Sequence, residues 1–257
     1  MRHRSALALL ALVLVVGATA WAGADPSNPR DRIVRSIIVR AGHCSPGTAI
    51  RLGSAGLAFA AVVRQRVVVY RTPGKGAFAR FGRLNVNDVP TVFSIRAVIF
   101  DRSCRARWYR VQVPLRPNGV VGYVRALAVD VGRVRARIEV DVSRRTLTYF
   151  RRGHAVLRTR VAVGAPATPT PIGRFYVNQR LTTIDTSGPF GPAALGVSAF
   201  SNVLTGWAQG GPIAIHGTNA PWSIGRAVSN GCIRVRNRML ERLFAVTPAG
   251  TPVTVHP

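Results

Sequence analysis

His216 and Cys232 are the residues of this chain whose types and spacing could do covalent chemistry. His216 closes the short apolar run Ile213-Ala214-Ile215 and is followed by Gly217. Sixteen positions later Cys232 stands in Ser229-Asn230-Gly231-Cys232-Ile233-Arg234. A thiol becomes a competent nucleophile near neutral pH when a base or a positive charge favours its thiolate, and an imidazole within hydrogen-bond reach does both. Glycine beside each partner lets the backbone approach a substrate or turn through positive φ, and Gly231 leaves main-chain N–H groups free to face a developing oxyanion. Taken singly, a cysteine reads as a small buried hydrophobe, and a histidine beside an apolar run as a satisfied core residue. Taken together, with Arg234 two positions beyond the thiol, nucleophilic catalysis is the better reading. Zinc is a poorer one: the only carboxylate after Asp185 is Glu241, so the two residues would lack further ligands. The reading calls for no metal and no cofactor. The same scarcity leaves amides, hydroxyls and backbone carbonyls, but no aspartate, to orient the imidazole.

The elements that must position this pair read mainly as strands. Ile138, Val140 and Val142 alternate with Glu139 and Asp141, the period of a half-buried strand, and the catalytic unit is expected to span 135–257. Further strands are expected at 146–150 and 155–163, separated by the turn at 151–153. The proline-rich stretch 165–171 must break the ladder, since proline donates no hydrogen bond to it. Gly and Pro at short intervals make 182–201 a long loop over the site. Asn237 is expected to cap a short helix with Met239, Leu240, Leu243 and Phe244 facing inward, and a last strand follows within 251–255. Upstream, residues 62–132 carry β-branched and aromatic runs punctuated by Pro-Gly and Asn-Gly, which is hairpin chemistry. Residues 25–61 show no clean period and read as an irregular segment.

The segment from His216 to Asn237, with its His-Gly-Thr and Ser-Asn-Gly-Cys-Ile-Arg-Val-Arg-Asn, closely resembles the signature of the L,D-transpeptidase catalytic domain family of bacterial cell-wall enzymes. The stretches 138–153 and 161–177, the second containing Thr170-Pro171-Ile172-Gly173, resemble the opening strands and the Thr-Pro-x-Gly turn of that family. The resemblance implies a mainly β, L,D-transpeptidase-type β-sandwich with one short helix. It implies that Cys232 attacks the carbonyl at the L-centre of the third residue of a peptidoglycan stem peptide and expels D-alanine. His216 would be the base, held through the Gly217 carbonyl, and the oxyanion would meet the N–H groups of Gly231 and Cys232. Arg234, Asn230 and Ser229 are the substrate-side residues, with Arg234 suited to a substrate carboxylate and Ser229 to bracing the loop. One departure stands out: the family often has a second histidine directly before the Gly-Cys, where this chain has Asn230. An L,D-carboxypeptidase would use the same motif, and a non-catalytic wall-binding protein would keep only its shape. A papain-type protease has its cysteine before its histidine in the chain, the reverse of this order. The run Trp108-Tyr109 to Val124 resembles the small Src-homology-type β-barrels of bacterial wall proteins, either as a ligand-free barrel of five strands or as a peptidoglycan-binding one.

Compartment and charge fit such an enzyme. Residues 1–24 combine a basic start, a long apolar run and Ala22-Gly23-Ala24, the pattern of a secretory signal peptide. An uncleaved membrane anchor is the competing reading. Both place the rest of the chain outside the cytoplasm, and membrane contact is expected only if the segment stays. The net charge of +27 comes from 36 basic residues of which Lys75 is the one lysine. Such a field steers anionic wall polymers toward the protein. Export and the scatter of arginines along the whole chain argue against nucleic acid. Of Cys44, Cys104 and Cys232, the first two can pair if Cys232 stays free, or remain as two buried thiols.

Overall fold

The computed structural model describes residues 45–257 and shows a mainly β chain with one α-helix among those residues. The first sheet is made by β1 (Ala49–Arg51), β2 (Ala58–Val63), β3 (Arg66–Thr72), β4 (Lys75–Gly82), β5 (Val92–Phe100), β6 (Ala106–Gln112), β7 (Val121–Arg125) and β8 (Val129–Val134). Its order is β4-β3-β7-β6-β5-β2-β8, with β1 on β5. The sheet thus has eight strands where the sequence suggested five. The expected irregular stretch also ends early, because β1 and most of β2 lie before residue 62. The reason is burial. Phe59, Ala60 and Ala61 are all enclosed, so β2 shows an unbroken apolar run instead of the alternation that marks a one-sided strand.

The second sheet carries the candidate site. It is built from β9 (Ala136–Asp141), β10 (Thr146–Arg151), β11 (His154–Arg160), β13 (Gly173–Thr182), β14 (Ala193–Phe200), β15 (Pro212–His216), β17 (Ile233–Arg234) and β18 (Pro252–His256), in the order β11-β10-β9-β18-β13-β14-β15-β17. A separate two-stranded parallel ladder joins β12 (Val163–Gly164) to β16 (Ala227–Ser229). In β9 the side chains of Ala136, Ile138 and Val140 are buried while those between are half-buried, as the alternation predicts. The expected long loop 182–201 is overturned in its second half: β14 is buried over nearly its whole length and lies between β13 and β15. Its Ala, Gly and Ser residues are there to be packed against. A Cβ at Gly196 would sit 2.4 Å from Gln179 Cγ. The helix α1 (Asn237–Val246) covers β14 and buries Leu240 and Leu243.

The two sheets meet through specific polar contacts. Tyr176 donates its hydroxyl to Val92 O at 3.1 Å, and Gln112 Nε2 donates to Arg174 O at 2.9 Å. From the loop after β6, Arg116 Nη2 donates to Ser201 O and to Gly210 O, each at 2.6 Å. Asn118 pairs with both backbone groups of Phe200. These bonds hold both ends of the 201–211 excursion that leads into β15. The predicted signal peptide and Cys44 lie outside the described residues. Cys104 is engaged in a disulfide and Cys232 is free. Among the described residues no helix is long and apolar enough to cross a membrane.

Candidate active site

Strand register places His216 and Cys232 on one face. β15 and β17 run parallel with Ile215 opposite Ile233 and His216 opposite Arg234, and Cys232 immediately precedes β17. Because side chains alternate along a strand, Ala214 and His216 share a face with Cys232 and Arg234. His216 and Cys232 are therefore diagonal neighbours on adjacent segments.

The imidazole is 4% exposed and its Nδ1 lies 2.5 Å from Gly217 O. A carbonyl can only accept, so Nδ1 carries the proton and Nε2 keeps its lone pair. Burial lowers the His216 pKa to about 4, with the Gly217 carbonyl opposing that shift and Arg234 adding to it. The ring of Phe190 packs against the imidazole at 4.9 Å between centroids. Cys232 Sγ lies 3.9 Å from Pro212 O. Burial pushes its pKa up, while the Ala214 N–H and Arg234 pull it down. At rest the thiol and the imidazole are thus both neutral.

The loop that presents the thiol is braced from both sides. Gly231 adopts φ 109°, and a Cβ there would crowd Ile213 Cδ1 at 3.0 Å. Ser229 is buried and donates its hydroxyl to Cys232 O at 2.6 Å while accepting Gly231 N–H at 3.2 Å. The bonds of its hydroxyl therefore stay within its own loop, and they occupy Gly231 N–H, one of the two N–H groups expected to face an oxyanion. Thr170, 3% exposed, accepts Gly164 N–H at 2.8 Å and donates to Gly231 O at 2.9 Å. The peptide unit is planar with its C=O and N–H on opposite edges. Thr170 thereby aims Cys232 N–H away from itself. Thr168 donates likewise to Ser229 O at 2.9 Å.

Asn230 is exposed, and Arg234 is half-buried with its Nε lacking a hydrogen-bond partner among the described residues. Asn237 corrects a further expectation. The N-cap of α1 is Arg236, which makes no side-chain cap bond, and Asn237 Oδ1 instead accepts Thr218 N–H at 2.7 Å. Thr168, Thr170 and Asn237 were missed as site residues, although all three stand inside the motifs that the sequence singled out. Among the described residues no three His, Cys, Asp or Glu side chains converge.

Residues 135–255 match the family described as the L,D-transpeptidase catalytic domain, YkuD. The YkuD protein of Bacillus licheniformis, which carries an L,D-transpeptidase name, is 39% identical over 121 residues, 47% of this chain and 66% of that protein. Its Bacillus subtilis counterpart is 37% identical over 119 residues, 46% of this chain and 65% of that protein. The alignments thus span slightly under two thirds of these relatives' lengths. A crystal structure of an Enterococcus faecium L,D-transpeptidase C442S mutant is 26% identical, covers 47% of this chain and 49% of its own, and superposes with a TM-score of 0.37.

Proposed function

We propose, from a C-terminal domain (residues 135–255) that belongs to the L,D-transpeptidase catalytic domain family, that this chain is an exported cysteine L,D-transpeptidase acting on peptidoglycan stem peptides. The observation that carries the reading is the His216 tautomer: the Nδ1 proton is committed to Gly217 O, which leaves Nε2 as a base on the face that bears the free Cys232 thiol. In the proposed reaction the thiol proton passes to Nε2 as sulfur bonds to the donor carbonyl. Negative charge on the carbonyl oxygen is met by Cys232 N–H. When the tetrahedral intermediate collapses, the carbon–nitrogen bond to D-alanine breaks and the leaving amine takes the proton from Nε2. A thioester remains. The amine of a second stem then attacks it, gives its proton to Nε2 and forms a 3–3 cross-link, while sulfur departs and regains that proton. Arg234 is suited to a donor carboxylate, since the residue is half-exposed and its Nε has no hydrogen-bond partner among the described residues. Asn230, exposed beside Gly231, is the other side chain on the substrate side.

Hydrolysis of the same thioester would make the protein an L,D-carboxypeptidase. Incubation of the purified protein with defined tetrapeptide muropeptides, followed by mass spectrometry, separates the outcomes. Cross-linked dimers with release of D-alanine are expected. Tripeptides alone would replace the transferase reading with the hydrolase one, and unchanged tetrapeptides would remove both.

A further inference from the structure

The side chain of Asn237 takes no part in the reaction above, yet it bonds to the peptide whose carbonyl meets the His216 imidazole. Its Oδ1 takes Thr218 N–H at 2.7 Å, and only the oxygen end of an amide can do so. The Gly217–Thr218 peptide is planar, so a bond that holds its N–H edge also sets the direction of its carbonyl edge. That carbonyl is Gly217 O, the partner of His216 Nδ1 at 2.5 Å. Space for the clamp is provided on both sides: a Cβ at Gly217 or at Gly191 would lie 2.5 Å from Asn237 Oδ1. Two glycines therefore leave room for one amide, in a residue that the helix N-terminus does not use.

We propose that Asn237 is a positioning residue that fixes the tautomer of His216 through the Gly217–Thr218 peptide. The inference rests on the reading of His216 as the base. With the clamp removed, the peptide is free to tilt and Nδ1–H loses a directed acceptor. The neutral ring then populates its other tautomer, which carries hydrogen on Nε2 and cannot take the thiol proton. Loss of the correct tautomer is costly where a histidine acts as base.

The test uses the full chain labelled with nitrogen-15 in histidine, so that ring nitrogen shifts report the tautomer and pKa of His216, beside the rate of Cys232 acylation by a tetrapeptide donor. The wild type should show hydrogen on Nδ1. Asn237→Ala should mix in the Nε2–H form and slow acylation by roughly 10- to 100-fold. Asn237→Asp still accepts Thr218 N–H; it should keep the Nδ1–H form and move the imidazole pKa upward through its nearby charge. An Asn237→Ala protein with the wild-type tautomer and pKa would overturn the proposal. If that variant does not fold, an aspartate variant whose imidazole pKa is unmoved overturns it equally. Wild-type protein that shows the Asn237-dependent tautomer but never acylates would support the clamp while ending the transpeptidase reading.

Discussion

At the scale of single residues, the proposed chemistry requires an uncharged His216. Its folded pKa, about 4, lies below the ordinary value of 6.5 because the ring is buried. The unfolded chain binds the proton more readily, so the buried neutral ring contributes stability above pH 6.5 that is lost as pH falls through 4. The full loss is about 3 kcal/mol. Denaturant unfolding of the wild type should therefore show stability dropping across that window, and His216→Gln should remove that part of the slope. Acylation should in turn persist below pH 6 without an inflection near 6.5. An acid limb centred at 6.5, or equal pH slopes in the two proteins, would contradict the neutral-pair description. His216, Gly217, Gly231 and Cys232 stand out in the sequence by residue type and spacing, and the structure sets His216 Nδ1 on Gly217 O and turns the chain through positive φ at Gly231. The occupation of Gly231 N–H by Ser229 Oγ was not legible there, since it depends on a side-chain rotamer.

At the scale of elements, the turn that carries Thr168 and Thr170 holds the nucleophile loop from 61 residues away along the chain. Thr170→Val keeps the shape and removes the hydroxyl, which strands the buried Gly164 N–H and Gly231 carbonyl. Stability should fall by roughly 2–4 kcal/mol, and acylation should slow as Cys232 N–H loses its aim, while Thr170→Ser should restore both. Unchanged unfolding and acylation in the valine variant would show that the turn does not brace the loop. The strand β9, the final strand and the helix α1 were readable from periodicity, because each buries one face. The strands β2 and β14 were not, because elements covered on both sides lose the alternation that identifies them, and Gly196 resembles a loop residue until Gln179 is seen packed on it. Contacts such as Thr170 to Gly231 and Asn237 to Thr218 join distant stretches, and nothing local marks them.

At the scale of the whole molecule, the loop after β6 of the first sheet fastens the segment that leads to the thiol. Arg116 and Asn118 hold Phe200, Ser201 and Gly210, and Gly211 then leads directly to Pro212, whose carbonyl faces Cys232 Sγ. The sequence could not show that the loop after β6 reaches across to the other sheet. The net charge of +27 favours anionic partners in general without choosing a reaction. The central proposal is covalent: Cys232 becomes acylated by a stem peptide, and that peptide releases its D-alanine in the step. It is tested most directly by intact-mass measurement of the protein after brief incubation with a tetrapeptide donor, with peptide mapping of the adduct. The wild type should gain the mass of the donor less D-alanine, on Cys232, and Cys232→Ala should gain nothing. No adduct on the wild type, or the same adduct on the alanine variant, would contradict the account.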